Sequence, residues 1–158
     1  MPVSVEMAKE KWAGQVRVVT LGATAADGGT REKTVSVGGE SAMHFLSFDT
    51  PAGAAGMPHP PALALEIRDR RPDDWSPLLN EAWGEAMDDP GDWAHAAEAA
   101  GADLIVLTLS LTTADGQPNT PARARAVVRQ VLTATGLPLA VFGPGQAETD
   151  NELIVPVA

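Results

Sequence analysis

Ala102–Leu111, ADLIVLTLSL, is the stretch on which the fold turns. Gly101 precedes it and the loop-like TTADGQPNT follows, so an aliphatic, β-branched run is punctuated at both ends. That pattern predicts a buried strand rather than a short helix. Successive side chains of a strand point to opposite faces. Ile105, Leu107, Leu109 and Leu111 therefore share one apolar face, while Leu104, Val106, Thr108 and Ser110 share another that turns polar toward the strand's C-terminal end. Each large aliphatic side chain buried here contributes roughly 1.5–3 kcal/mol before entropy is set against it.

Upstream of this strand the sequence predicts helices, and a further strand before them. Ala62–Arg68 (ALALEIR) repeats the same asymmetry, with Leu63, Leu65 and Ile67 on one face and Ala64, Glu66 and Arg68 on the other. Ser76 and Asp89 are N-cap residues, each followed by proline at the first helical position (Pro77, Pro90). Leu78, Leu79, Ala82, Trp83, Ala86 and Met87 form the apolar stripe of the first helix, and Trp93, Ala96, Ala97 and Ala100 that of the second, which Gly101 stops. Trp75, Trp83 and Trp93 read as packing residues, and the pairs Asp73-Asp74 and Asp88-Asp89 as helix-start acids.

Downstream, Thr120 and Pro121 open a third helix. Val127, Val128, Val131 and Leu132 are its buried face, Arg123, Arg125 and Arg129 its wet one, and Gly136 its end. Leu139–Phe142 (LAVF) is the next strand, closed by Gly143-Pro144-Gly145, and Thr149 or Asp150 starts a last helix. Nearer the N-terminus, Val16–Leu21 and Lys33–Val37 read as a hairpin closed by glycine-rich turns, and residues 1–15 as a polar lead-in. Phe45–Pro61, with four prolines, is an irregular surface crossing.

The order is thus a hairpin, a crossing, then β-αα-β-α-β-(α), an α/β chain with parallel strands. No G-x-G-x-x-G follows a strand and no G-x-x-x-x-G-K-[ST] occurs, which disfavours nucleotide-binding doubly wound folds. The polar faces Glu66/Arg68 and Thr108/Ser110 favour TIM-barrel-type β/α units, because a barrel interior ends in a polar mouth. The expectation is one partial barrel domain over residues 16–158 with its N-terminal hairpin at 16–37, packed apart from three strands at 62–68, 102–111 and 139–142.

Composition narrows the partners. Acidic residues outnumber basic ones 21 to 11, a formal charge of −10, so nucleic acid and anionic membrane are poor partners. These 158 residues contain no cysteine, which excludes thiolate zinc and an iron–sulfur cluster held by them. No apolar run reaches membrane-spanning length and MPVSVEMAKEKW lacks the apolar core of a signal peptide, consistent with a cytoplasmic protein. His44, His59 and His95 lack metal-ligand spacing, and no Ser/His/Asp arrangement can be built.

GATAADGGTREKTVSVGGESAMHF, MPHPPALALEIRD and ADLIVLTL together resemble the small (delta) subunit of the corrinoid iron–sulfur protein of the CO dehydrogenase/acetyl-CoA synthase system. The likeness extends over nearly all of this chain and over about the first half of such a subunit. It departs at FGPGQ, residues 142–146, where a turn like GCGN is expected. The resemblance implies a TIM barrel paired as a heterodimer with a large corrinoid iron–sulfur subunit. That subunit would hold the cluster and share a cobamide with this chain. The implied role is that of a non-catalytic methyl carrier, passing a methyl group from methyltetrahydrofolate or a pterin analogue to acetyl-CoA synthase in the reductive acetyl-CoA pathway. A methyltransferase and acetyl-CoA synthase would be transient partners.

In a barrel the ligand contacts fall at the C-terminal ends of the strands. The candidate cofactor-binding residues are therefore Glu66, Asp69 and Arg70 after the first unit strand, Thr108, Ser110, Thr112 and Thr113 after the second, and Gly143 after the third. No catalytic residue and no metal ligand is assigned. Glu66 is expected to be largely buried and paired with Arg68 or the Thr108/Ser110 hydroxyls. Two other readings stand beside the carrier: a stand-alone TIM-barrel pterin-dependent methyltransferase with Glu66 and Asp69 on the pterin, and a truncated inactive module.

Overall fold

The computed structural model describes residues 14–41 and 58–158. The N-terminal lead-in up to residue 13, the crossing from 45 to 57 and His44 lie outside the described residues. The chain divides into two compact units, residues 1–20 with 36–61, and residues 21–35 with 62–158.

Strands β1 (Val19–Leu21) and β2 (Val35–Val37) form the expected hairpin, shorter than the sequence patterns at 16–21 and 33–37. Within the first unit the pairing continues past the strands. Val16 N–H donates to Glu40 O at 2.8 Å and Gly39 N–H to Val16 O at 3.0 Å. Gly38 and Gly39 hold φ of +87° and +86°, and a Cβ on Gly38 would collide with the Arg17 carbonyl. Two consecutive left-handed residues against a backbone neighbour require glycine.

The second unit carries a parallel sheet in the order β3 (Ala64–Arg68), β4 (Leu104–Thr108), β5 (Leu139–Phe142). Ala64 pairs with Leu104 and Arg68 with Thr108, while Ile105 pairs with Leu139 and Thr108 with Phe142. The helices are α1 (Pro77–Trp83), α2 (Pro90–Ala99), α3 (Pro121–Ala134) and α4 (Ala147–Ile154), with a 3-10 turn, Gly84–Asp88, between the first two. The capping expectations hold. Ser76 Oγ accepts from Leu79 N–H, Asp89 from Gly91 and Asp92 N–H, and Thr120 from Arg123 N–H. Helix α4 begins at Ala147 rather than at Thr149 or Asp150, and Asp150 reaches back to the Gln146 N–H at 3.3 Å.

One sheet face packs on the helices. Ile67, Ile105, Leu107 and Leu109 are buried with Met87, Trp93, Val127, Val131 and Leu153. Trp93 is the hub, edge-on to Trp75 at 5.3 Å and tilted to Trp83 at 6.3 Å, so the three indoles are packing residues as expected. The other face follows by alternation: Ala64, Glu66 and Arg68 on β3, Leu104, Val106 and Thr108 on β4, Ala140 and Phe142 on β5. No helix among the described residues is long and apolar enough to cross a membrane.

The loop between β1 and β2 does not stand apart from the sheet unit. Its residues 22–34 fold onto the C-terminal end of α3. Arg31 Nη1 donates to Thr135 O at 2.8 Å and Leu137 O at 3.4 Å, and Nη2 to Leu132 O at 2.9 Å. Glu32 N–H adds a bond to Gly136 O at 2.9 Å. The physical reason is the four unpaired carbonyls that any helix end presents. Gly136 serves this contact rather than a left-handed helix stop, since a Cβ there would meet the Glu32 side chain at 2.7 Å.

Candidate functional site at the carboxyl ends of the strands

The chain leaves β3 through the run Glu66-Ile67-Arg68-Asp69-Arg70-Arg71. Parity along the strand sorts these charges. Ile67 and Asp69 turn toward the helix layer and are buried, Asp69 at 2% exposure. Glu66 and Arg68 turn to the opposite face. The Glu66 side chain is 45% exposed and receives Arg68 Nε–H at 3.3 Å. The expected Arg68 pairing is present, but the expected burial of Glu66 is not. Leu104, at the other end of this face, is buried, but at the carboxyl end water meets the Glu66 carboxylate directly. Arg68 also bonds Asp74 at 3.2 Å and lies over the Trp75 ring at 5.5 Å, which holds the guanidinium on the rim.

Asp69 is the buried carboxylate of the rim. Its Oδ1 accepts from Ser110 N–H at 3.0 Å and its Oδ2 from Asn119 Nδ2 at 2.8 Å. Asn119 Nδ2 also donates to Ser110 O at 2.9 Å, and Asn119 Oδ1 accepts from Thr120 N–H. Asp69 O receives Arg123 Nη2 at 3.1 Å. The loops after β3 and β4 and the start of α3 are thereby tied through one side chain. Strand β4 ends at Thr108 rather than Leu111 because β3 ends opposite it and Ser110 N–H turns to the carboxylate.

The remaining candidates scatter. Thr108 is half-buried, between Arg68 and Phe142 by register. Thr112 bridges to Pro118, and Thr113 closes the loop by exchanging bonds with Gln117 around the Asp115-Gly116 turn, where Gly116 has φ +74°. Arg70 Nη1 pairs with the exposed Asp73 at 2.8 Å. Gly143 has a steric reason of its own, because a Cβ there would collide with Asp150, whose Oδ1 accepts the Gly145 N–H at 3.1 Å.

Arg71 bonds Asp88 at 2.7 Å and Gly84 O at 2.7 Å. That hydrogen bond holds the Asp88 carboxyl below its ordinary value and the Arg71 guanidinium above its own. Asp73, Asp74 and Asp88 are thus guanidinium partners rather than helix-start acids; of the four, only Asp89 caps a helix. Arg123 does not belong to the wet face of α3, since it is half-buried against Asp69. No group of His, Asp and Glu among the described residues could hold a metal ion. The residues missed from sequence are Asn119 and Arg123, whereas Arg68 was expected only as the partner of Glu66. Asn119 next to Thr120 had a signal, two successive cap-type residues before Pro121, of which helix α3 needs only one.

The structure defines an α/β module of successive β-α-β units, with its polar side chains gathered at the carboxyl ends of three parallel strands. The family described as CO dehydrogenase/acetyl-CoA synthase delta subunit matches residues 18–154, and the chain belongs to it. It is 40% identical over 152 residues to the acetyl-CoA decarbonylase/synthase complex subunit delta of Archaeoglobus fulgidus, covering 92% of this chain and 31% of that protein. The subunit delta of Methanosarcina mazei is 35% identical over 149 residues, covering 94% and 33%, and that of Methanopyrus kandleri 32% over 147 residues, covering 92% and 35%. The chain spans about a third of the length of these relatives.

Proposed function

We propose that this chain is the opening part of a (β/α) barrel in a corrinoid methyl-carrier subunit of an acetyl-CoA decarbonylase/synthase complex. Membership of the delta-subunit family over residues 18–154 is the observation that carries the reading. The barrel part is supported by the sheet. Its strands follow in chain order and the buried helices pack on one face, whereas a doubly wound sheet has helices on both. Cytoplasmic location belongs to the same reading.

The residues at the carboxyl end of that face fit a cobamide as a surface, not as a metal ligand. Arg68, Thr108 and Phe142 lie in one row across the three strands, and Phe142 is 57% exposed. An aromatic face flanked by a hydroxyl and a guanidinium suits an apolar macrocycle rimmed with amides. When bound, the cobamide would supply the methyl-carrying chemistry. The chain's own residues would hold and shield it: Phe142 by apolar contact, Thr108 and Arg68 by donating hydrogen bonds, Glu66 by keeping Arg68 oriented. The large corrinoid subunit would cover the other side, with the methyltransferase and acetyl-CoA synthase as transient partners. Asp69 drops out of this set because both carboxylate oxygens are engaged inside the protein. The pterin-methyltransferase alternative loses the same residue and rests on Glu66 alone.

The test is association with a cobamide-loaded large subunit, followed by gel filtration and the visible spectrum of the corrinoid. Phe142→Ser and Arg68→Gln should weaken the complex, while the chain alone should not methylate free cob(I)alamin from methyltetrahydrofolate. Turnover by the isolated chain, or unchanged association of both variants, would overturn the reading.

A further inference from the structure

A second cluster of guanidinium groups lies away from the Arg68, Thr108 and Phe142 row, in the helix layer. Arg70, Arg71 and Arg123 line a recess of about 310 Å³ between the start of α2 and the first turns of α3, with Gln130 on its α3 side. The carboxylates around it are already committed. Asp69 accepts from Ser110 and Asn119, Asp88 from Arg71, and Asp89 from the Gly91 and Asp92 N–H groups and from Gln130. Of the guanidinium groups, Arg71 is held by Asp88 and Gly84 O, and Arg70 by Asp73 through Nη1, but two donors are left over. Nε–H of Arg70 and Nε–H of Arg123 are both buried and have no hydrogen-bond partner.

Buried donors are nearly always paired in folded proteins, so two arginines that line one recess and each keep an unpaired donor point to an acceptor from outside the chain. Arg123 strengthens the point. Its one guanidinium bond goes to a neutral carbonyl, Asp69 O, and it has no ion pair among the described residues. It also stands in the first turn of α3, which contains no acidic residue. The helix dipole opposes a cation at that end and favours an anion. Arginine, rather than lysine, suits a planar or tetrahedral oxyanion because its N–H groups form a fixed fork. We infer that this recess is an oxyanion site in which a phosphate group accepts from the guanidinium groups of Arg70 and Arg123. It stands apart from the proposed cobamide surface and does not depend on it.

Equilibrium dialysis of the 158-residue chain against labelled inorganic phosphate, with ionic strength held by chloride, tests the site. Saturable retention of one phosphate per chain is expected. Arg70→Gln and Arg123→Gln should each weaken it by about tenfold or more, the loss of one charge-assisted bond. Arg129→Gln, on the exposed side of α3, should bind like the parent chain. A parallel arm with a nucleoside monophosphate separates the sources: competition at lower concentration than phosphate assigns an ester, and weaker competition assigns the free anion. Far-UV circular dichroism checks the variants. Should Arg123→Gln fail to fold, Arg70→Gln and Arg123→Lys, which keeps the charge but loses the fork, carry the comparison. Retention no greater than the chloride background, or glutamine variants that bind like the parent, would overturn the inference.

Discussion

Replacing Asp69 by alanine removes the acceptor for two donors at once, Ser110 N–H and Asn119 Nδ2–H, at 3.0 and 2.8 Å. Hydrogen bonds to charged groups contribute roughly 1.5–3 kcal/mol each, and a buried donor left unpaired loses its solvation as well. Asn119 is half-buried and keeps its bond to Ser110 O, so its share belongs at the low end of that range. The sum is a destabilisation of about 3–4 kcal/mol. With a urea slope of about 2 kcal/mol per molar, the unfolding midpoint should fall by about 1.5–2 M. Asp69→Asn keeps one acceptor oxygen but turns an N–H₂ toward a donor. Asn119 can flip to meet it only by giving up the Thr120 N–H at the start of α3. The asparagine variant should therefore lose about half as much, about 1.5–2 kcal/mol. Urea titrations followed by both tryptophan fluorescence and far-UV circular dichroism give the midpoint and test the two-state assumption. Amide hydrogen exchange at Ser110 adds a local readout, since its protection should collapse first in the alanine variant. A loss below about 1 kcal/mol for alanine, or an asparagine variant equal to the parent, would refute the view that this carboxylate ties the rim together.

Glu66 should behave in the opposite way: Glu66→Leu is expected to shift stability by less than about 0.5–1 kcal/mol, because its ion pair is exposed and Arg68 keeps Asp74 and Trp75. A larger loss in a urea titration would mean that Glu66 is buried. Arg31→Ala should cost about 2–3 kcal/mol and expose the loop at 22–34 to proteolysis, and Arg31→Lys should recover less than half, since an ammonium cannot span three carbonyls. Full rescue by lysine would show that only the charge matters there. For Asp88 the sign follows from its lowered folded pKa. Its contribution is fully present above the unfolded carboxyl value of about 4 and is lost as pH falls through the folded value. Asp88→Asn should accordingly flatten the acid side of the stability profile; superimposable slopes for parent and variant below about pH 4 would exclude that contribution.

What could be read from the residues alone was local. The three helix caps depend on a hydroxyl or carboxylate two or three residues from the N–H it satisfies, with proline beside it, and they stand where Ser76, Asp89 and Thr120 placed them. The two faces of β3 and β4 follow from strand parity, and Leu139–Phe142 was legible to the residue because Pro138 and Gly143 flank it. Family membership was legible for the same reason, from runs of neighbouring residues. Tertiary structure decided everything that required knowing what lies opposite. Glu66 and Asp69 are both carboxylates three positions apart, yet one faces water and the other is buried, because only Asp69 meets the loops from β4 and α3. Arg31 reads as an ordinary turn residue until the end of α3 arrives 104 positions later with carbonyls to satisfy. Charge can be counted along a chain, but its solvation and its partner are set by contacts between distant segments, which is why Glu66 and Arg123 stand in other surroundings than their sequence reading gave them, while the elements around them kept their type and order and changed only in their bounds.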